Sequence, residues 1–357
     1  MSRAALAKKI GLTRAAITII VDSLISDGII IEKGTVSAGI GRNPMILDIK
    51  PDCHFALGLN LSRDKCSLGA INAKGIVIKS KKLELKLSEG SAQTLPIIEN
   101  EIKEFINSLD ISNDKLLGLG VTAPGPLDSS KGIIINPPNF DKWEKISIVD
   151  ELKKCFDFPI MLENNASASA IAEKNYGAAK NFSDFILLMV DTGIGAGIIT
   201  KNSLYKGANS LGAELGHTTI VYNGKKCSCG NSGCLEVYAS VPAIVEQAKK
   251  IDPEVDDWKK ITERAQAGDE GLLGIIDTEA QYLAASIVSA VNIMGIEAVI
   301  LSGYITYKPE LLLKALSDKV NSHAINRDLY KTNILVSEID NDSAIIAAAS
   351  IIFENLL

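Results

Sequence analysis

No stretch of about eighteen uninterrupted apolar residues, the minimum for a membrane-crossing helix, occurs in the 357-residue sequence. The nearest, Leu283 to Leu301, is broken by Ser286, Ser289, Asn292 and Glu297, which predicts buried helix and strand instead. The N-terminus lacks the apolar core of a signal peptide. The cytoplasm is therefore the expected compartment, and no membrane partner is expected. Cysteine is sparse, at six residues. Cys53, Cys66 and Cys155 stand alone and read as free buried thiols. The composition, 46% hydrophobic and 22% charged, is that of a soluble globular protein, and the chain is long enough to predict two or three domains.

Basic charge is short overall but not at the start. Residues 1–50 carry seven Lys/Arg against four Asp/Glu, a net of +3 in a chain of net −6, which leaves −9 on residues 51–357. A basic head on an acidic body suits a nucleic-acid reader joined to a sensing domain.

Within the head, Ser2 can cap a helix ending near Ile10, Gly11 makes a turn, and Thr13 caps a second helix ending at Asp27-Gly28. Ile17, Val21 and Leu24 predict its inward stripe. Thr13, Arg14, Ala15 and Thr18 then stand near the N-terminus of its outer face, where a recognition helix meets base edges. "GIIIEKG" and "PMILDIK" read as two strands joined by "TVSAGIGRN", with Arg42 at the wing. Together these predict a winged helix-turn-helix over residues 1–50 rather than a hairpin used only for packing. Winged helix domains normally have one helix before the first seen here. An incomplete head is expected to expose the apolar faces of Leu6, Ile10 and Ile17.

After Pro51, strands and helices alternate. "FALGLNL", "KCSLGAIN" and "GIVIKSKKLEL" read as strands, "LPIIENEIKEFINSL" as an amphipathic helix and "LLGLGVTA" as a buried strand. From about residue 185 the theme repeats, predicting two related α/β lobes around a ligand cleft. In the repeat, Gly193, Gly195 and Gly197 of "DTGIGAG" either cradle phosphates or serve close packing. "LENNASASA" (162–170) sits where a buried strand turns into a small-residue helix, presenting Glu163, Asn164 and Asn165 to a ligand. An amide holds a hydroxyl but cannot take its proton near neutral pH.

"GHTTIVYNGKKCSCGNSGCLE" supplies His217, Cys227, Cys229 and Cys234, one imidazole and three thiols, the complete tetrahedral shell of a structural zinc.

At this point the sequence resembles the ROK family of repressors, open reading frames and kinases, over essentially all of residues 51–357. "ELGH" followed by "CSCGNSGCLE" is similar to the family signature, and "ENNASASA", "TAPGPLD" and "PPNFDKW" fall in matching places. The resemblance implies a two-lobed, actin-like (RNase H-like) α/β sugar-kinase fold behind the winged helix. It divides the chain into residues 1–50, a first lobe of 51–175 with the helix 341–357 packed on it, and a second lobe of 176–340 with the zinc site. It also implies a homodimer or homotetramer, and a sugar site formed by Asn139, Asn164, Glu214, His217 and Glu236, with Gly125 beside it and Asn165 able to bond a hydroxyl.

The same resemblance implies a lost kinase half. ROK kinases have their catalytic Asp at the position of Asn165. Asn60-Leu61-Ser62-Arg63-Asp64 replaces their Asp-x-Gly-Gly-Thr, Asp191 replaces a glycine, and Ser302 and Tyr304 stand at glycine positions. Ser167 replaces a frequent Asn. The expectation is a non-enzymatic, sugar-responsive repressor that binds operator DNA. The alternative is an ATP-dependent sugar kinase of the glucokinase or N-acetylmannosamine kinase type.

Overall fold

A computed structural model describes residues 1–35, 45–62, 66–137, 142–339 and 342–356. Its first part is two helices, Arg3–Ile10 and Arg14–Ser26, followed by antiparallel strands Ile30–Thr35 and Met45–Ile49. Both caps form as the sequence requires: Ser2 Oγ accepts from Ala5 N at 3.3 Å, and Thr13 Oγ1 from Ala16 N at 3.2 Å. Gly11, at φ 79°, closes the first helix in the left-handed region. A small core of Ala7, Ile17, Val21 and Leu47 holds the unit together, with Leu6, Ile25 and Ile30 against it.

Two expectations change here. Ile25, not Leu24, extends the stripe of Ile17 and Val21, because the facing strand favours the i, i+4, i+8 line. Ile17 is 1% exposed rather than bare, since Leu47 and Ala7 cover it, and Leu6 is half-buried against the same core. Ile10 is exposed, at 56%. Arg42 lies outside the described residues.

Two five-stranded sheets with the same topology follow. The first runs in the order Val77–Leu83, Cys66–Asn72, Phe55–Asn60, Leu116–Ala123, Ile160–Asn164, and the second in the order Ser203–Leu204, Ile194–Thr200, Phe185–Val190, Ala298–Ser302, Asn333–Val336. In each, an antiparallel meander of three strands continues into two parallel ones. The segment Leu283–Leu301 is divided between helix Glu270–Met294 and strand Ala298–Ser302. No helix among the described residues is long and apolar enough to cross a membrane.

Two helices join the lobes. Asn165–Asn175 leaves the first sheet, and Ser343–Leu356 returns to pack on Phe55–Asn60 and Leu116–Ala123. They meet through Ala168 and Ala172 on one and Ala347 and Ile351 on the other. The returning helix lies almost backbone to backbone on the sheet. A Cβ on Gly120 would stand 1.8 Å from the Ala348 carbonyl oxygen, and one on Gly58 2.4 Å from that of Ile345. The same helix, through Ile345, Ala349, Ile352 and Phe353, shares a buried cluster with Cys53 and with Ile29 from the first part of the chain. A second link is ionic: Asp48 pairs with Lys33 at 2.7 Å and with Lys74 of the first lobe at 2.5 Å.

Candidate functional site

Parallel pairing of Leu116–Ala123 with Ile160–Asn164 places Ala123 opposite Asn164, so the turns after both strands open side by side. Asn164 caps the helix that follows, its Oδ1 accepting from Ala166 N at 2.9 Å. Its Nδ2 is thereby turned outward, 3.2 Å from where a Cβ on Gly125 would stand, with Glu214 Oε1 3.8 Å from the same point. Any side chain at residue 125 would press on the Asn164 amide. Gly125, Asn164 and Glu214 thus converge on one recess of ≈ 40 Å³, closed by Ser167, Gly195 and the turn Ser210-Leu211-Gly212. Glu163, 4% exposed, stands behind it and pairs with Lys206 at 3.2 Å. Glu214 reaches the water of the recess, yet the surrounding walls raise its carboxyl above the ordinary value. Desolvation is the main cause, the charge of Glu236 adds to it, and His217 opposes it.

Glu236 faces a neighbouring turn. Its Oε2 accepts from Ile194 N at 2.9 Å and lies 2.7 Å from where a Cβ on Gly193 would stand. Gly195 and Gly197 press on the helix Asn165–Asn175: a Cβ on Gly197 would be 2.4 Å from the Ala166 carbonyl oxygen. Packing accounts for these two glycines, and a phosphate cradle is not needed to explain them. Asn139 lies outside the described residues.

His217, Cys227, Cys229 and Cys234 bring their ligand atoms within 4.8 Å of one another. Cys229 Sγ is 3.7 Å from Cys234 Sγ, and Cys227 Sγ is 3.6 Å from His217 Nδ1. Tetrahedral geometry with zinc bond lengths of about 2.3 Å to sulfur and about 2.0–2.1 Å to nitrogen requires separations of about 3.8 and about 3.6 Å. The donor set therefore fits one zinc ion. Burial pushes the Cys234 thiol up to about 12, with its two cysteine neighbours adding, a cost that a bound cation would offset.

A second cavity of ≈ 260 Å³ opens at the floor of the cleft, where Asn60, Asn165, Asp191 and Ser302 come together from both lobes. Thr122 donates to Asn60 Oδ1 at 3.1 Å. Asn165 Oδ1 is buried with no hydrogen-bond partner among the described residues. Asp191 turns aside to accept from Tyr304 N at 2.8 Å, and the Tyr304 hydroxyl donates to Asp257 at 2.8 Å. Burial, and then Asp257, push that hydroxyl up to about 12. Asp191 and Tyr304 therefore tie together two turns at which the sequence departs from the kinase pattern it resembles. Arg63 and Asp64 lie outside the described residues.

At the head, Thr13, Arg14 and Ala15 are exposed, and Thr18 is half-exposed with its hydroxyl bonded to the Arg14 carbonyl at 2.8 Å. Sequence reasoning missed the Ser210–Gly212 turn, Glu173 and Ser337. Ser210 takes φ 60° without a glycine to announce it, and the other two join the cavity from distant segments.

Comparison with known proteins agrees with this arrangement. A xylose repressor of Caldicellulosiruptor bescii is 29% identical over 371 residues, covering 100% of this chain and 92% of that protein. A glucokinase of Thermotoga maritima is 31% identical over 314 residues, covering 84% of this chain and 98% of that one. The crystal structure of a ROK family transcriptional regulator, homologous to the E. coli MLC protein, superposes with a TM-score of 0.82 at 25% identity, over 99% of this chain and 91% of that one. The ROK family itself matches residues 56–355. With that span accounted for, the chain belongs to the ROK family.

Proposed function

We propose that this protein is a sugar-responsive transcriptional repressor that binds operator DNA through residues 1–50 and a sugar through the recess at Asn164. In this reading the head is a winged helix-turn-helix with Arg14 and Arg42 toward DNA. Residues 51–175 with 341–357, and residues 176–340, are the two lobes. The chain acts in the cytoplasm as a homodimer or homotetramer and carries one structural zinc. The observation that carries the reading is the second helix of the head. Its core face is spent on Ile17 and Val21 while its first turn, Thr13 to Ala15, stays open to solvent, which is the presentation a major groove requires. A xylose repressor and a ROK family transcriptional regulator also match 100% and 99% of the chain, head included.

In the recess, Asn164 and Glu214 would hold sugar hydroxyls, each of which both donates and accepts, with Glu236 beside it at the Gly193–Ile194 turn. His217 Nδ1 faces Cys227 Sγ at 3.6 Å, so it would take the metal and leave Nε2 for the sugar. Zinc would fix the segment between the two glutamates and supply no reaction step. A recess of ≈ 40 Å³ is too narrow for a sugar ring, so entry requires the Ser210–Gly212 turn or the lobes to move. The helix Ser343–Leu356 would carry that movement to the head. Its start lines the cleft cavity with Ser343, Ala344 and Ala347, and its outer face shares the cluster with Ile29. A ligand preferring one lobe arrangement by about 1–3 kcal/mol would shift DNA affinity about 5–150-fold.

Two observations count against the kinase reading: the amide at Asn165 and the Asp191–Tyr304 tie. A mobility-shift assay with the protein's own upstream region tests the repressor reading. Arg14→Ala should weaken binding by about 1–3 kcal/mol if it reads a base, and binding should fall steeply with salt. Equal affinity for specific and random duplex would sink it.

A further inference from the structure

We infer that the second helix of the head reads thymine by its methyl group, with Ile19 as the side chain that meets it; this rests on the DNA-binding reading above. Ile17, Val21 and Ile25 form the core line of that helix. Ala15, Ile19 and Ser23 form a parallel line two positions away, about 160° around a helix of 3.6 residues per turn, and all three are exposed. Ile19 stands in the middle of that line and is 73% exposed. A single open aliphatic side chain needs no explanation on an ordinary surface. On the face turned to a groove, it decides what the helix can read.

The charge around this face selects the occupant. Lys8 and Lys9 end the preceding helix and are exposed, Arg14 opens this one, and residues 1–50 carry a net +3. Asp22, further along, is paired with Arg3 at 2.7 Å. A polyanion suits that rim, whereas a second copy of the same face would bring like charge against like.

The apolar centre then meets what is apolar in a major groove. Of the four bases only thymine presents a methyl there, at C5, and aliphatic side chains contact it. Thr18 strengthens the assignment, because its hydroxyl already donates to the Arg14 carbonyl at 2.8 Å and that proton is not offered to a base. Each methyl-sized group removed from water contributes about fourfold in affinity.

Mobility shifts with the protein's own upstream region, made once with thymine and once with deoxyuridine throughout, test this, because the two duplexes differ only in the C5 methyls. The wild type should bind the uracil duplex at least about fourfold more weakly. Ile19→Ala, at a site that costs little packing, should weaken binding to the thymine duplex and lose most of that difference. Its salt dependence should stay as in the wild type, since no phosphate contact is removed. Equal binding of both duplexes by the wild type, with random duplex still bound more weakly, overturns this inference and leaves the DNA-binding reading standing. So does a full thymine–uracil difference in Ile19→Ala, and a changed oligomeric state in that variant would assign the face to a second copy instead. No preference for the upstream region over random duplex overturns the DNA-binding reading, and this inference with it.

Discussion

Cys229→Ser tests whether the His217, Cys227, Cys229 and Cys234 cluster supports the proposed sugar recess at Asn164. Cys229 is the one exposed member of the four, so its replacement disturbs little packing while removing one thiolate from a closed shell. Zinc content should fall from about one per chain toward zero, because a neutral hydroxyl is a poor substitute for a thiolate ligand. The loop should not unfold outright. Backbone bonds from Ile220 N to Gly233 O at 2.8 Å, Gly233 N to Lys225 O at 2.7 Å and Leu235 N to Thr218 O at 2.9 Å hold it independently of the ion. What loosens is the placement of two carboxylates. Glu214 lies three residues before His217, and Glu236 two residues after Cys234, so each is tethered to a metal ligand by a few bonds.

Groups that orient one another around a metal typically account for about 10–100-fold in affinity, or about 1.4–2.7 kcal/mol. Sugar affinity in Cys229→Ser should drop by that much, while Cys53→Ser, outside the cluster, should leave both zinc and affinity intact. Elemental analysis reads the first quantity and isothermal titration the second. Protein purified without chelator that contains no zinc would refute the fit. A zinc-free variant that binds sugar like the wild type would refute the coupling.

Three further outcomes follow from particular side chains. Asn165→Asp should release no ADP above background over a sugar panel, because a general base contributes only about 10²–10⁴-fold and the Asp191–Tyr304 tie remains; turnover by the wild type would instead favour the kinase reading. Glu279 is fully buried with neither carboxylate oxygen bonded to another described group, and burial raises its pKa well above the ordinary value. It contributes stability below its unfolded pKa of about 4.3 that is lost as pH rises toward the folded value. Urea titrations should therefore find Glu279→Gln gaining on the wild type between pH 4 and pH 8, and an unchanged difference would contradict the burial argument. Asp48, held down to about 2 by hydrogen bonds from Lys33 and then Lys74, behaves oppositely. Its contribution is present above about pH 3.9 and lost as pH falls through about 2. Asp48→Asn should cost at most about 1 kcal/mol at pH 5, given its partial exposure, and nothing near pH 2; a loss that persists there would rule out the ion bridge as its cause.

The head was legible almost to the residue because its signals are local. Ser2, Gly11 and Thr13 act on backbone groups within four positions of themselves, so the chemistry that sets each boundary is visible in a short window. The slip of Leu24 for Ile25 has the opposite character, as has the expected exposure of Ile17 and Leu6, which the core of Ala7 and Leu47 covers. A stripe of 3.6-residue period can be continued on either line, and only the facing strand, through Leu47, selects one. The duplicated lobes were legible for a related reason: each meander repeats alternation and turn chemistry that need no distant partner.

The site divides along the same line. Asn164 and Asn165 could be singled out because a strand-to-helix turn with two amides is itself a local pattern, and the four clustered His and Cys residues fall within eighteen positions, 217 to 234. The cavity beneath them was not. Glu173 and Ser337, 164 positions apart, meet through a single hydrogen bond, and Asp191 reaches Tyr304 across 113. In the sequence Asp191 reads only as a charge replacing a glycine, and Tyr304 only as bulk replacing another. Their pairing turns two separate losses into one bond that closes what each alone would merely obstruct. Two of the departures from the kinase pattern are therefore neighbours in space, which their positions in the sequence do not show. They meet in one contact, Tyr304 N to Asp191, while Gly125, Asn164 and Glu214 converge on a recess elsewhere in the site.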